Sequence, residues 1–260
     1  FVSDNKPYGA VISYYLPPVP KHHKRPRVTL QILDRNGTLV RTLDATTKPG
    51  INRVVWDLHA DPPGGKSAVQ DTRAYYVFYQ LNIEGPQVVP GTYTVKLVAG
   101  NATAQAPVEV RLDPASDAST AALQAHYDAL ERLAQMQERG ELEVAIISSL
   151  QTQIGARRAH SSDRLALRAL AQYRVQLEAA LDALRTGNGS QNSGYKHPAA
   201  LIDQIAYMRH ILPTYLGPPT DAQAALIDLY SSDADDLATR THALFTTALA
   251  SVNAELARNR

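Results

Sequence analysis

The stretch Thr103-Ala-Gln-Ala-Pro-Val-Glu-Val-Arg-Leu112-Asp113-Pro114, followed by Ser116 and by Leu123, Tyr127, Leu130 and Leu133, carries the change of period that decides the fold. Up to Leu112 the chain reads in short alternating runs broken by turn residues, the signature of half-buried strands. From Ser116 onward apolar residues recur three or four apart, as one face of an α-helix requires. Residues 1–113 therefore read as an all-β domain and residues 114–260 as an all-α domain.

Working back from Leu112, Gly100-Asn101 turns the chain out of Thr92 to Ala99, which follows Pro90-Gly91. Ile51 to Leu58 is a strand entered through Pro49-Gly50. Thr38 to Leu43 is reached from Arg27 to Asp34 through Asn36-Gly37, read as a two-residue hairpin turn because both positions tolerate positive φ. Val28, Leu30 and Ile32 share one face, and Tyr8 to Leu16 forms a first strand stopped by Pro17-Pro18. Six or seven short strands in about 110 residues predict an immunoglobulin-like β-sandwich.

Working forward, Ile146, Leu150 and Ile154 continue the apolar stripe past Gly140. A glycine there costs up to ~1 kcal/mol relative to Ala, so a bend is expected. A second helix near Ser162 to Arg185 carries Leu170, Tyr173, Leu177, Leu181 and Leu184 in heptad-like spacing. After the polar loop Gly187 to Gly194, Pro198 suits the first turn of a third helix that stops near Pro213. Thr220 with Gln223 forms a capping box for a fourth. That helix runs towards Asn259 through Leu226, Tyr230, Leu237, Leu244, Ala248, Val252 and Leu256, with Ser231 to Asp236 as the expected kink. Each helix is apolar on one side only, which predicts an antiparallel three- or four-helix bundle.

The composition excludes several classes of function. With no cysteine the 260-residue chain has no disulfide, thiolate metal site or cysteine nucleophile. A formal net charge of +1 gives no electrostatic case for nucleic acid or an anionic membrane. No apolar run approaches the roughly 18 residues that span a bilayer. Phe1 stands where an initiator Met would, which is expected of a processed chain or a fragment.

Each motif with chemical potential has a plainer reading. Ala60-Asp-Pro-Pro-Gly-Gly65-Lys66-Ser67 fits a relaxed phosphate-loop pattern, but such a loop must open a helix, and extended chain follows here. Lys21-His22-His23-Lys24-Arg25-Pro26-Arg27 is a Pro-bounded basic loop where solvated charge is expected. His126, His210 and His242 sit in helical sequence without metal-binding spacing. No Gly-x-Ser-x-Gly elbow occurs. Asp57 and Asp61 could pair for glycoside cleavage, although two acids close in sequence are common. No catalytic residue, cofactor or metal is expected. Tyr75, Tyr76, Phe78 and Tyr79 crowd the long insertion between Leu58 and Pro90 and form the one candidate interaction patch. They could stack on sugar rings or on a partner surface, or seal a core; the structural reading is preferred because large aromatics bury area when they can.

Several motifs together resemble a known arrangement. Pro7-Tyr8-Gly9-Ala10-Val11-Ile12-Ser13-Tyr14-Tyr15-Leu16 is similar to the exit from a β-propeller in large bacterial exported proteins, whose repeats resemble those of sialidases and of the sortilin family. Asp34-Arg-Asn-Gly37 with Arg41 and Leu43, Pro49-Gly50-Ile-Asn52-Arg-Val-Val-Trp56-Asp57-Leu58, and Gly85-Pro86 with Pro90-Gly91-Thr-Tyr93 resemble the immunoglobulin-like domain of the flagellar hook-capping (FlgD) type. In such proteins a helical segment similar to residues 114–260 follows. The resemblance implies a non-catalytic accessory C-terminal module, extracellular or periplasmic, whose partner is a propeller of the same protein or another protein. A carbohydrate-binding module using Tyr75 to Tyr79 is the alternative. The family's ligand-binding residues would lie on the propeller, so none is carried over to this chain.

The strand register makes Trp56 a core residue. Trp56→Ala is expected to cost ~3–5 kcal/mol in denaturant unfolding; a loss below about 1 kcal/mol would mean an exposed ring and a wrong register.

Overall fold

A computed structural model describes residues 8–18, 27–62, 85–185, 200–215 and 217–258. The chain divides into two compact units. Described residues up to 62, with 85–127 and 217–218, make the first; described residues of 128–215 and 219–258 make the second.

Six named strands build the first unit: β1 (Ala10–Leu16), β2 (Val28–Leu33), β3 (Leu39–Leu43), β4 (Gly50–Trp56), β5 (Gly91–Ala99) and β6 (Ala102–Val110). They form two antiparallel sheets, one of β1 and β4 and the other in the order β3-β2-β5-β6. Leu30, Ile32 and Val95 of the larger sheet and Trp56 of the smaller are buried in one cluster, with Ala10, Ile12 and Val54 packed against it. Both sheets thus turn one face to a shared core, and each fully buried Leu, Ile or Val adds roughly 1.5–3 kcal/mol. Tyr93 meets Trp56 edge to face, with ring centroids 5.4 Å apart.

The β2–β3 turn differs from its expected form. Gly37 has φ +81°, whereas Asn36 is not in the positive-φ region. The Gly37 N–H donates to the Asp34 carbonyl at 3.0 Å, and Asp34 Oδ1 accepts the N–H groups of Asn36 and Thr38. The Asp34 side chain fixes a tight turn followed by one left-handed glycine, so a single positive-φ residue suffices.

Five α-helical segments are described: α1 (Thr120–Ala159), α2 (Arg164–Leu184), α3 (Leu201–Ile211), α4 (Asp221–Ala243) and α5 (Leu249–Arg258). Contacts fix their directions. Along α1, Glu141 pairs with Arg185, and Gln137 accepts a 2.6 Å hydrogen bond from Arg209 of α3. A Cβ on Gly140 would lie 2.9 Å from Ile202 Cγ1 and 3.9 Å from Leu184. Descending α1 numbers thus meet the end of α2 and then ascending α3 numbers, so α2 and α3 are two pieces of one arm antiparallel to α1. Arg132 pairs with Asp228 at 2.6 Å and Arg139 with Asp235 at 2.8 Å, so α4 runs parallel to α1.

Gly140 therefore does not end the helix: α1 is continuous for 40 residues. The glycine is buried where the broken arm crosses, and a larger residue would collide with Ile202. Among the buried residues of α1, Leu133, Gly140, Ile147 and Ile154 form a row seven apart. Ile147 is fully buried, while Ile146, expected on the stripe, is 45% exposed. Leu226 is likewise exposed and Ile227 takes its place. The expected kink at Ser231 to Asp236 is absent, since α4 continues through it with Ala234 buried. The capping box at Thr220 and Gln223 forms as read. Pro198 lies outside the described residues.

The irregularity comes about two turns later, where Leu244–Ala248 is a π-helical turn. Inward residues Ile227, Ala234 and Thr241 are seven apart; at the π turn both Ala248, seven on, and Leu249, eight on, pack against the cluster, and Leu256 follows Leu249 at seven. The second row, Tyr230 and Leu237, likewise meets both Leu244 and Phe245 at the π turn and goes on at Val252, seven after Phe245. One inserted residue per π turn accounts for both.

Gly140→Val is expected to destabilise the protein by about 1–3 kcal/mol through overpacking. Combined with Ile202→Ala, part of that loss should return, giving a coupling of at least about 0.5 kcal/mol in a urea double-mutant cycle. Strict additivity would show that the two residues do not touch.

Candidate functional site

The densest polar cluster in the first unit grows from the burial of Trp56. Its indole N–H needs an acceptor and finds the His59 carbonyl, three residues on, at 2.9 Å. Reaching it requires an abrupt reversal after β4, and Leu58 adopts φ +62°, a left-handed conformation that strains a residue with a bulky side chain. Asp57 Oδ1 accepts the His59 N–H at 3.1 Å and holds the turn.

Residues beyond the reversal pair with the chain that returns from the long insertion. Ala60 N–H donates to the Pro86 carbonyl at 2.9 Å, Val88 N–H donates to the Leu58 carbonyl at 2.8 Å, and His59 bridges Gln87. Gly85 is obligatory at this neck, because a Cβ there would lie 2.1 Å from the Ala60 carbonyl oxygen. Arg41 ties the neck to β3. Its Nη1 donates to the Ala60 carbonyl at 2.7 Å and its Nη2 to Asp57 Oδ2 at 3.1 Å, while its Nε lies 3.7 Å from Asp61 Oδ1. Asp61 Oδ2 also accepts the Thr42 N–H at 2.9 Å.

Asp57 and Asp61 are thus brought together, but around a shared guanidinium that is largely buried. A glycoside-cleaving pair would instead face each other across an open cleft. The observed role of these two acids is to anchor the neck.

The smaller sheet has an unusual outer face. Alternation along β1 and β4 sends Val11, Ser13 and Tyr15 outward, in register with Val55, Arg53 and Ile51. Tyr15 is 64% and Ile51 81% exposed, and Val11 on the same face is exposed too. On the inner side Tyr14 donates its hydroxyl to the Thr46 carbonyl at 2.7 Å, and buried Asn52 donates to the carbonyls of Lys48 and Gly50. Apart from Ser13 and Arg53 the outer side is apolar, which is unusual for a sheet face turned to water. Sequence reading missed this patch, although the signal was present: Val11 and Tyr15 alternate with core-facing Ile12 and Leu16.

The remaining expected residues separate. Tyr75, Tyr76, Phe78 and Tyr79, Gly65-Lys66-Ser67 and residues 21–26 of the basic cluster lie outside the described residues. His210 and His242 are exposed, whereas His126 is buried. Its Nδ1 lies 3.0 Å from the Gly217 carbonyl, so Nδ1 carries the proton and donates it. Burial pushes the His126 pKa below the ordinary value, partly offset by that hydrogen bond. In the second unit burial lowers the pKa of Arg209 to about 10. Among the described residues no group of three or more His, Asp or Glu could hold a metal ion, and no helix is long and apolar enough to cross a membrane. Comparison with protein-family models, with curated proteins and with solved structures returns no match to this chain.

The depressed His126 pKa fixes a sign. The unfolded chain binds the proton near pH 6.5 and the folded one only at lower pH. Stability from this group is therefore unchanged above about 6.5 and falls as the pH drops below it. Urea unfolding between pH 7.5 and 5 should show a shallower loss for His126→Gln than for the wild type. Identical slopes would mean that His126 titrates alike in both states.

Proposed function

We propose that this chain is a non-catalytic accessory module of a larger exported propeller protein, and that it docks on the propeller or on a protein partner through the outer face of β1 and β4. The observation that carries the reading is the exposure of Val11, Tyr15 and Ile51 on one face. Large exposed apolar side chains grouped on one face mark interaction surfaces more often than solvent faces. Tyrosine is also enriched where binding energy concentrates. Ser13 and Arg53, paired across the same face, lie between the Val11–Val55 and Tyr15–Ile51 pairs and give it a polar centre.

An immunoglobulin-like sandwich is the finer description that fits the first unit. Two antiparallel sheets that share the core around Trp56, Leu30 and Ile32 support it. For the second unit the matching description is an antiparallel helical bundle of three arms, the middle one broken between α2 and α3. Short connections, a seven-residue inward repeat and one shared apolar cluster support it. The exported, extracellular or periplasmic setting follows from the resemblance of Pro7 to Leu16 and of the strand motifs to propeller-linked modules. Within that reading β1 is the tether, held to β4 by pairing from Ala10–Trp56 to Leu16–Gly50.

The test is binding between this chain and the propeller region of its parent, supplied as a separate polypeptide and followed by calorimetry. Tyr15→Ser with Ile51→Ser is expected to weaken binding at least about tenfold, the effect of removing about 1.4 kcal/mol of contact, with an unchanged Tm. An unchanged affinity overturns the docking face. A reading frame without propeller blades upstream overturns the accessory role. Glycan binding that is lost in Tyr76→Ala and Tyr79→Ala would replace this reading with the carbohydrate-binding one.

A further inference from the structure

The second unit holds a cleft of about 470 Å³ at the end where α1, α2 and α5 meet. Its wall is apolar, formed by Leu150 and Ile154 of α1, Leu170 and Tyr173 of α2, and Val252 and Leu256 of α5. Its polar lining is Gln153, Arg157 and Asn253, all exposed. Small-molecule sites have this character: roughly 300–1,000 Å³, mostly apolar, with a few polar groups at one side.

The cleft owes its lining to the π turn at Leu244–Ala248. Had the repeat of seven run on unchanged through Leu244 and Ala248, the inward residues beyond the π turn would be Ser251 and Glu255. A carboxylate and a hydroxyl would then face α1 and α2. The inserted residue rotates the following helix so that Leu249, Val252 and Leu256 point there instead. Tyr173, itself part of the wall, donates its hydroxyl to the Leu244 carbonyl at 2.9 Å and fastens the π turn to α2. Extra residues of this kind persist in helices mostly where function requires them. Here the gain is an apolar lining in a space that the helices do not fill.

Charge decides what that space would take. Arg157 stands at the C-terminal end of α1 and makes no ion pair among the described residues. Two amides, of Gln153 and Asn253, lie on the same rim. A guanidinium beside donors and above an apolar wall complements a carboxylate on an alkyl chain. We propose that this cleft is a binding site for a single-chain carboxylate amphiphile, a fatty acid of medium length, with its tail against Val252 and Leu256 and its head at Arg157. The site is independent of the docking face on β1 and β4.

Calorimetric titration of the whole chain with decanoate, and with decanol as the uncharged control, tests it. Decanoate is expected to bind with a submillimolar Kd. Arg157→Gln should weaken decanoate about three- to fivefold, the size of a solvent-facing ion pair, and leave decanol unchanged. Val252→Trp, which fills the cleft, should abolish binding of both, with helical circular dichroism retained. The proposal is overturned if decanoate does not bind at millimolar concentration, or if its binding survives Val252→Trp. It is also overturned if binding appears only after deletion of residues 67–83, which would assign the cleft to this chain's own tyrosine-rich segment.

Discussion

Trp56 has to lose all contact with water and still find an acceptor for its indole N–H, and much of the first unit is arranged around that requirement. The His59 carbonyl supplies the acceptor, which obliges the chain to reverse within three residues of the ring. The reversal forces Leu58 into a left-handed conformation and brings Asp57, His59 and Ala60 to one place. Arg41 then closes on the Ala60 carbonyl and on two carboxylates, and Gly85 can pass only because it lacks a Cβ. The neck of the long insertion is thus a consequence of how one aromatic side chain is satisfied inside a core.

The helical unit rests on a different constraint, the seven-residue spacing of inward side chains. That spacing is kept along α1 from Leu133 to Ile154, even through Gly140, where bulk would be in the way. It is broken once, at the π turn, and the break changes the chemistry of everything beyond it from Ser251 and Glu255 to Val252 and Leu256. Buried polar groups are placed where partners exist. The Thr241 hydroxyl lies within hydrogen-bond distance of the Glu143 carboxylate and of the carbonyls one turn back, and Arg209 donates to Gln137. A polar group without such partners would cost more than an apolar replacement.

Surfaces follow from these cores by subtraction. Once Ile12 and Leu16 face inward, the pleat must send Val11 and Tyr15 out, whatever their preference for water. Ile51 is outward because its register partner Tyr15 is. Apolar side chains that the core does not use are therefore presented together, as a binding face needs them. The Asp57–Asp61 pair illustrates the opposite outcome, in which residues with catalytic potential become part of the scaffold because a guanidinium reaches them first.

Period, turns and caps lie within a few residues of one another along the chain, and the sequence by itself determined them. The switch from strands to helices, the six described strands, the capping box at Thr220 and the burial of Trp56 all follow from local pattern. Tertiary structure alone decided which of two adjacent apolar residues faces inward. Ile147 displaced Ile146, and Ile227 displaced Leu226, because a slip of one position on a helix rotates a side chain by about 100°, and only the neighbouring arm chooses between them. It also decided that Gly140 is a crossing point rather than a bend, that α2 and α3 share one arm, and that a π turn resets the repeat. Each depends on residues dozens of positions apart in sequence, whose meeting is fixed by packing and not by local spacing.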